Sequence, residues 1–197
     1  MAYSKTKIFN LALNLLGVSA PIQNANELTD TRAILLNNQY ELARDTVLKD
    51  YDWNFAMRFK DLALTGNKSP NPNYEYEFAY PNDCIAARAI LDETGKEKKF
   101  LIATNTDGTK TILANISPCT LRYTRLVTQE TTYTSEFVLA IAQFLASLTS
   151  DVITGSSEKG NNALKKYQMF IEKGKVQNAT EGTESDEDDT TYIDSRY

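Results

Sequence analysis

The side chains able to do chemistry in this chain are few in kind. Its 197 residues include no histidine. That removes imidazole acid–base catalysis and both the Ser-His-Asp and Cys-His nucleophilic arrangements. Two cysteines, Cys84 and Cys119, fall short of a zinc site unless carboxylates join them. In a reducing compartment they read as two buried thiols, so no metal and no cofactor is expected.

Carboxylates remain. Glu75 and Glu77 stand two apart in an alternating segment, which puts both on one face of a strand. Such a pair can cleave a glycosidic bond when one acid is held protonated in an apolar setting. Here the pair falls opposite the aromatic residues of the same segment, so the expectation is a solvated sheet face. Asp45, Asp50 and Asp52, around a helix, read the same ordinary way. Residues Gly155 to Gly160 have the glycine spacing of a phosphate-binding loop, but Asn161 takes the lysine position and no strand precedes it. That stretch reads as a corner between two helices.

The aromatic residues Tyr74, Tyr76, Phe78 and Tyr80 alternate with Glu75, Glu77 and Ala79. A ladder of rings can stack single-stranded bases, but such platforms interleave basic residues. Acidic ones stand here. Core or subunit interface is the better reading.

Four amphipathic helices must position these groups. The first runs from about Ser4 to Leu16, with Ile8, Leu11, Ala12 and Leu15 on one stripe and Gly17 as its cap. The second opens at Thr29 or Asp30 and runs to about Asp50, with Ala33, Leu36, Tyr40, Ala43, Val47 and Tyr51 on one buried face. The third starts near Thr134 and carries Phe137, Ile141, Phe144, Leu145, Leu148 and Val152. It is the most apolar and should be central, ending at Gly155. The fourth runs from about Ser157 to Gln177, with Leu164, Tyr167, Phe170 and Ile171 inward. Short turns between helices one and two, and three and four, favour antiparallel neighbours.

Between helices two and three the period falls to two. Phe55, Met57 and Phe59 alternate with polar or small residues, and the aromatic segment follows the Pro70 and Pro72 loop. Ile85 to Leu91 reads as another strand. Phe100 to Thr104 and Lys110 to Ala114 flank Asp107-Gly108, a hairpin signal. Leu121, Tyr123 and Arg125 suggest a last strand. The expected fold class is mainly α with a β insertion (α+β). Residues 1–54 and 127–177 would form an antiparallel helical bundle, 55–126 an antiparallel sheet, and 178–197 an acidic tail, disordered in the free subunit.

Hydrophobic residues make up 42% of the chain, enough for a sizeable core. No apolar run is expected to reach the roughly 20 residues that cross a bilayer, and the opening residues do not read as a signal peptide. The net charge of −5 is uneven. The last twenty residues hold seven acids (Glu181, Glu184, Asp186, Glu187, Asp188, Asp189, Asp194) against Arg196, which leaves the remainder near neutral. A near-neutral body lacks the basic face of a duplex-DNA binder. The tail has three readings: a solubilising end, a DNA mimic or repulsive channel lining, or a segment that orders on a partner. The closing Tyr192-Ile193 and Arg196-Tyr197 favour the third, because a purely solvating tail needs neither.

Taken in order, these features resemble the tail tubular protein A family, the head-to-tail adaptors of short-tailed bacteriophages, over nearly the whole chain. The resemblance rests on Asp30-x-Arg32, Ala43-Arg44-Asp45, Trp53-x-Phe55-Ala56, Arg58 and Leu62-Ala63-Leu64. It continues through Tyr76-x-Phe78-x-Tyr80-Pro81 to Asp83-Cys84, then Phe137, Ala140, Ala142, Leu145-Ala146 and Ile153 to Ser156. It closes on Tyr192-Ile193-x-x-Arg196, with tyrosine where tryptophan is expected.

The resemblance implies a non-enzymatic virion protein, made in the host cytoplasm and placed in the neck, forming a homo-oligomeric ring of about twelve copies. The ring would sit between the portal protein and the tail nozzle protein. Double-stranded DNA would pass through it without sequence-specific binding, and no membrane is implied. Carried over by position, Tyr192, Ile193 and Arg196 would contact the portal. Tyr76, Phe78, Tyr80 and Pro81 would support subunit or nozzle contacts. Two other readings stand beside this one: a cell-wall-degrading, glycan-cleaving virion enzyme using Glu75 and Glu77, and an acidic DNA-mimicking inhibitor.

Overall fold

The computed structural model describes residues 2–105 and 107–181. It shows a mixed α+β protein: two helices, a multistranded β insertion, then two more helices. Helix α1 spans Lys5–Leu15. Ser4 Oγ accepts from the Lys7 N–H at its start, and Gly17 at φ +78° closes it with the Val18 N–H returned to the Leu13 carbonyl at 2.9 Å. Its buried face is Ile8, Phe9, Ala12 and Leu13. The expected Leu11 and Leu15 pack only partly, because the face is centred between the two stripes.

Helix α2 spans Thr31–Asp50 with Asp30 as its N-cap, and Ala33, Leu36, Tyr40, Ala43 and Val47 are buried as the spacing predicts. Residues 16–30 separate it from α1, so that connection is not the short turn expected. Helix α3 spans Ser135–Thr154 and ends at Gly155, φ +66°. It packs against α1, α2 and α4, which makes it the central helix.

Of the apolar residues that α3 carries, Leu148 and Val152 face outward, and Val152 is 72% exposed. The helix is apolar nearly all round, so periodicity alone cannot select its buried side. Its length and mean hydropathy of 1.7 also meet the criteria for a membrane span, contrary to the expectation that no run would. Here 56% of that window is buried inside the fold, the place of a core helix.

Helix α4 spans Ser157–Glu181, four residues beyond the predicted end. It runs back along α3: Gly160 meets Ser147 and Ser150, while Tyr167 meets Phe144. A Cβ at Gly160 would stand 2.9 Å from the Ser150 Cβ, so glycine permits this close approach.

The insertion forms two antiparallel sheets, not one. Strands are β1 Met57–Asp61, β2 Tyr76–Ala79, β3 Cys84–Leu91, β4 Glu97–Lys98, β5 Phe100–Thr104, β6 Lys110–Ala114 and β7 Thr120–Arg125. One sheet has the order β1-β7-β3-β4 and the other β2-β6-β5. Continuous chain joins them at both edges. Leu62 still donates to Cys119 beside β7, whereas the next residue, Ala63, accepts from Ala79 in β2. On the far side β4 runs into β5 across a single residue. The result is a small closed barrel around Phe78, Ile90, Ile112, Ala114, Cys119, Leu121 and Tyr123. Phe55 does not join β1; it lies in a one-turn helix and packs on the helical core against Trp53 and Phe137. Phe59, on edge strand β1, is largely exposed.

Candidate functional site

The aromatic segment is a barrel wall. Phe78 is fully buried, Pro81 is buried, and Tyr76 and Tyr80 are half-buried against the same core. Tyr74 lies outside the strand. The alternation therefore predicted the inward face correctly, and only the rims of Tyr76 and Tyr80 are open to a partner. The Lys110 ammonium sits 5.7 Å from the Tyr80 ring centre. Tyr192, Ile193 and Arg196 lie outside the described residues.

Glu75 and Glu77 separate. Glu75 is exposed, whereas Glu77 is 2% exposed, a correction to the solvated face expected for both. The crossover between β1 and β2 covers that side of the sheet: the Thr65 hydroxyl donates to Glu77 Oε2 at 3.1 Å. Opposite Glu77, Leu113 is fully buried, and Thr111 beyond it nearly so. Glu77 Oε1 and Thr111 Oγ1 have no hydrogen-bond partner. Glu75 instead lines a shallow surface hollow with Asp92 and Glu93. The Asp92 carboxylate is held well below the usual range by the Thr94 hydroxyl, the Lys98 ammonium and backbone amides. An acid locked in its charged form this way is unsuited to proton donation. Among the described residues, no group of three or more His, Cys, Asp or Glu could hold a metal ion. Burial pushes the Cys119 thiol up to about 11 and raises that of Cys84, so both stay protonated near neutrality.

A clamp that the sequence reading missed joins barrel to bundle. The Arg88 guanidinium of β3 donates to the carbonyls of Leu48 (3.1 Å), Lys49 (3.0 Å) and Tyr51 (2.8 Å) at the end of α2, and to Thr124 Oγ1 (2.9 Å). Asp52 lies between Arg88 and Arg122, with Arg122 in direct contact and Arg88 at 3.8 Å. The guanidinium thus serves the last-turn carbonyls that a helix leaves unpaired. Burial lowers the Arg88 pKa, opposed by Asp52.

The helical lobe carries two further features. On the outer side of α2, Ile34 and Leu42 stand exposed eight residues apart with exposed Asn38 between them, and Leu28 is exposed just before the helix. Between α3 and α4, Phe144, Leu148 and Leu164 line a groove of about 210 Å³. A cavity of about 370 Å³ in the lobe is walled by Tyr51, Trp53 and Phe55 on one side and Phe170 and Ile171 on the other. Exposed Glu136 and Lys173 stand at its rim. Gly174 admits the Tyr51 ring, which a Cβ there would meet at 2.7 Å.

These parts define a two-lobed α+β protein. No protein-family model and no curated protein matches the chain.

Proposed function

We propose that this chain is a structural virion subunit, a head-to-tail adaptor that assembles as a ring between portal and tail nozzle and surrounds the passing DNA. One observation carries the reading. The helical lobe exposes large apolar side chains in two unlike places, the projecting row of Ile34 and Leu42 on α2 and the groove of Phe144, Leu148 and Leu164 between α3 and α4. Contacts between unlike faces are heterologous, and they close into rings when the rotation allows. A self-complementary dimer would need only one such face.

Other features agree with that role. The Arg88 clamp fixes barrel to bundle, as a rigid spacer requires. A near-neutral body avoids gripping phosphates, so DNA could slide through. In this reading Tyr192, Ile193 and Arg196 engage the portal after assembly, and the rims of Tyr76 and Tyr80 meet a subunit or the nozzle.

Native mass spectrometry of the protein alone and with portal protein tests the assembly, and electron microscopy of virions tests the location. A closed ring with portal and density in the neck are expected. A chain that stays monomeric with portal present, or a location elsewhere in the particle, overturns the proposal. Lysis of peptidoglycan lost in Glu75→Gln/Glu77→Gln would replace it with the glycan-cleaving reading.

A further inference from the structure

The cavity between the α2 exit and α4 has no role in the ring contact. Four aromatic rings and Ile171 form its apolar walls, and its rim carries Lys173 on α4 and Glu136 on α3. A preformed apolar cavity of this size suits one or two large side chains. Lys166 and Lys173, seven residues apart on α4, share a helix face; both are exposed, and neither is in an ion pair among the described residues. A segment that fits here places an aromatic-aliphatic pair in the pocket and acids along the lysine row of α4, on the side away from Glu136.

The chain itself contains one. Glu184, Asp186, Glu187, Asp188 and Asp189 precede Tyr192-Ile193. We propose that the pocket is the receptor for the chain's own segment 182–197, with Tyr192 and Ile193 entering it and the acidic run lying along Lys166 and Lys173. Reach permits this. From Gly174 to Glu181 the helix advances about 10 Å at ~1.5 Å per residue. The ten residues between Glu181 and Tyr192 can span about 33 Å, ample for the return. Tethering supplies an effective concentration of about a millimolar, so even a weak intrinsic affinity fills the pocket. The pair would then be sheltered in the free subunit and given up to a tighter partner. The docking holds whether or not that partner is a portal.

Trp53 is the sole tryptophan and stands between the pocket and the helical core at 5% exposure, so its emission reports the pocket when the core is shown to be unchanged. The experiment uses the full chain and compares the parent with Tyr192→Ser/Ile193→Ser, with equal far-ultraviolet circular dichroism as the folding control. Acrylamide quenching of Trp53 should rise in the double variant. Lys173→Glu should raise it as well, whereas Lys173→Arg should not. A synthetic peptide of residues 182–197 should restore protection to the double variant and leave the parent unchanged, because its own segment competes. Equal quenching in parent and double variant overturns the proposal, as does a peptide that acts equally on both. Protection that grows with protein concentration assigns the pocket to a second copy's segment and overturns the intramolecular form.

Discussion

The helical lobe and the barrel hide their apolar residues by different means. The bundle wraps three helices around α3 and still has large apolar side chains left over on two faces and an aromatic cavity besides. The barrel closes a small core on itself and finishes its seams with polar contacts: Thr65 on Glu77, Tyr123 on Asp83 at 3.0 Å, Thr120 on Asp61 at 2.6 Å. Exposed large apolar side chains in the barrel are Phe59 on β1, Leu64 just after it, and Leu101 and Ile102 on β5. The contrast is one of construction: the bundle leaves apolar surface and a cavity open, whereas the barrel encloses its core. Arg88 makes the two act as one body.

Matched truncations test the contrast most severely. Leu145 and Leu121 are both fully buried, one under the bundle and one in the barrel. The same deletion costs more where neighbours cannot collapse into the gap. Leu145→Ala is expected to destabilise by about 4–5 kcal/mol and Leu121→Ala by about 2–3 kcal/mol, the upper and lower ends of that range. Strand β3 beside Leu121 already carries two register shifts, which gives the barrel room to adjust. Denaturant unfolding measures both, and equal costs would remove the distinction.

The clamp comes next. Arg88→Met leaves the last carbonyls of α2 without their donor and takes one cation from Asp52, which keeps Arg122. The expected loss is about 2–3 kcal/mol, with Arg88→Lys recovering only part because an ammonium lacks the fork. Two separate unfolding transitions, one per lobe, are expected in Arg88→Met by calorimetry. A single unshifted transition would show that the lobes cohere without it.

A smaller change distinguishes a seam from a reactive acid. Glu77 has one oxygen bonded to Thr65 and one without a partner. Glu77→Gln keeps the shape and offers an amide donor toward Thr111, so stability should hold or rise by about 1 kcal/mol. A marked loss would mean the barrel depends on the carboxylate, and Glu75→Gln serves as the exposed control.

Much of this arrangement is legible in the residues, and the gaps have physical causes. Asp30, Thr134, Gly17 and Gly155 mark helix ends because capping is local chemistry. The pairing of Phe100–Thr104 with Lys110–Ala114 follows from the Asp107-Gly108 turn, where Gly108 has φ +83°. The outward position of Val152 and Leu148 is not legible because a helix apolar on every side has no preferred face until its neighbours are known. Glu77 was misplaced because its cover comes from the β1–β2 crossover, which alternation along one strand does not encode. The Arg122–Asp52 contact spans 70 positions, and nothing in either residue's surroundings announces the other. The cavity around Trp53 is assembled from three elements for the same reason. Sequence spacing shows what lies along one element; the clamp and the cavity lie between elements.

The smallest effect tests how the two helical faces meet. Glu41 is exposed beside Leu42 in the α2 row, and Lys165 is exposed beside Leu164 at the groove. Neither belongs to an ion pair among the described residues. If the α2 row of one copy enters the groove of the next, these charges approach at the rim, where a pair contributes about 0.5–1 kcal/mol, or a few-fold in affinity. Glu41→Lys and Lys165→Glu should each weaken self-association, measured by sedimentation velocity at low and high salt. Carrying both substitutions on one chain reverses both partners of every head-to-tail contact, so association should return, whereas a two-fold contact between like faces gains nothing from the exchange. Loss in the single variants without rescue would keep a ring possible but break this pairing. Rescue that vanishes at high salt would fix both the pairing and its electrostatic origin, since screening acts on exposed charges and not on the apolar row beneath them.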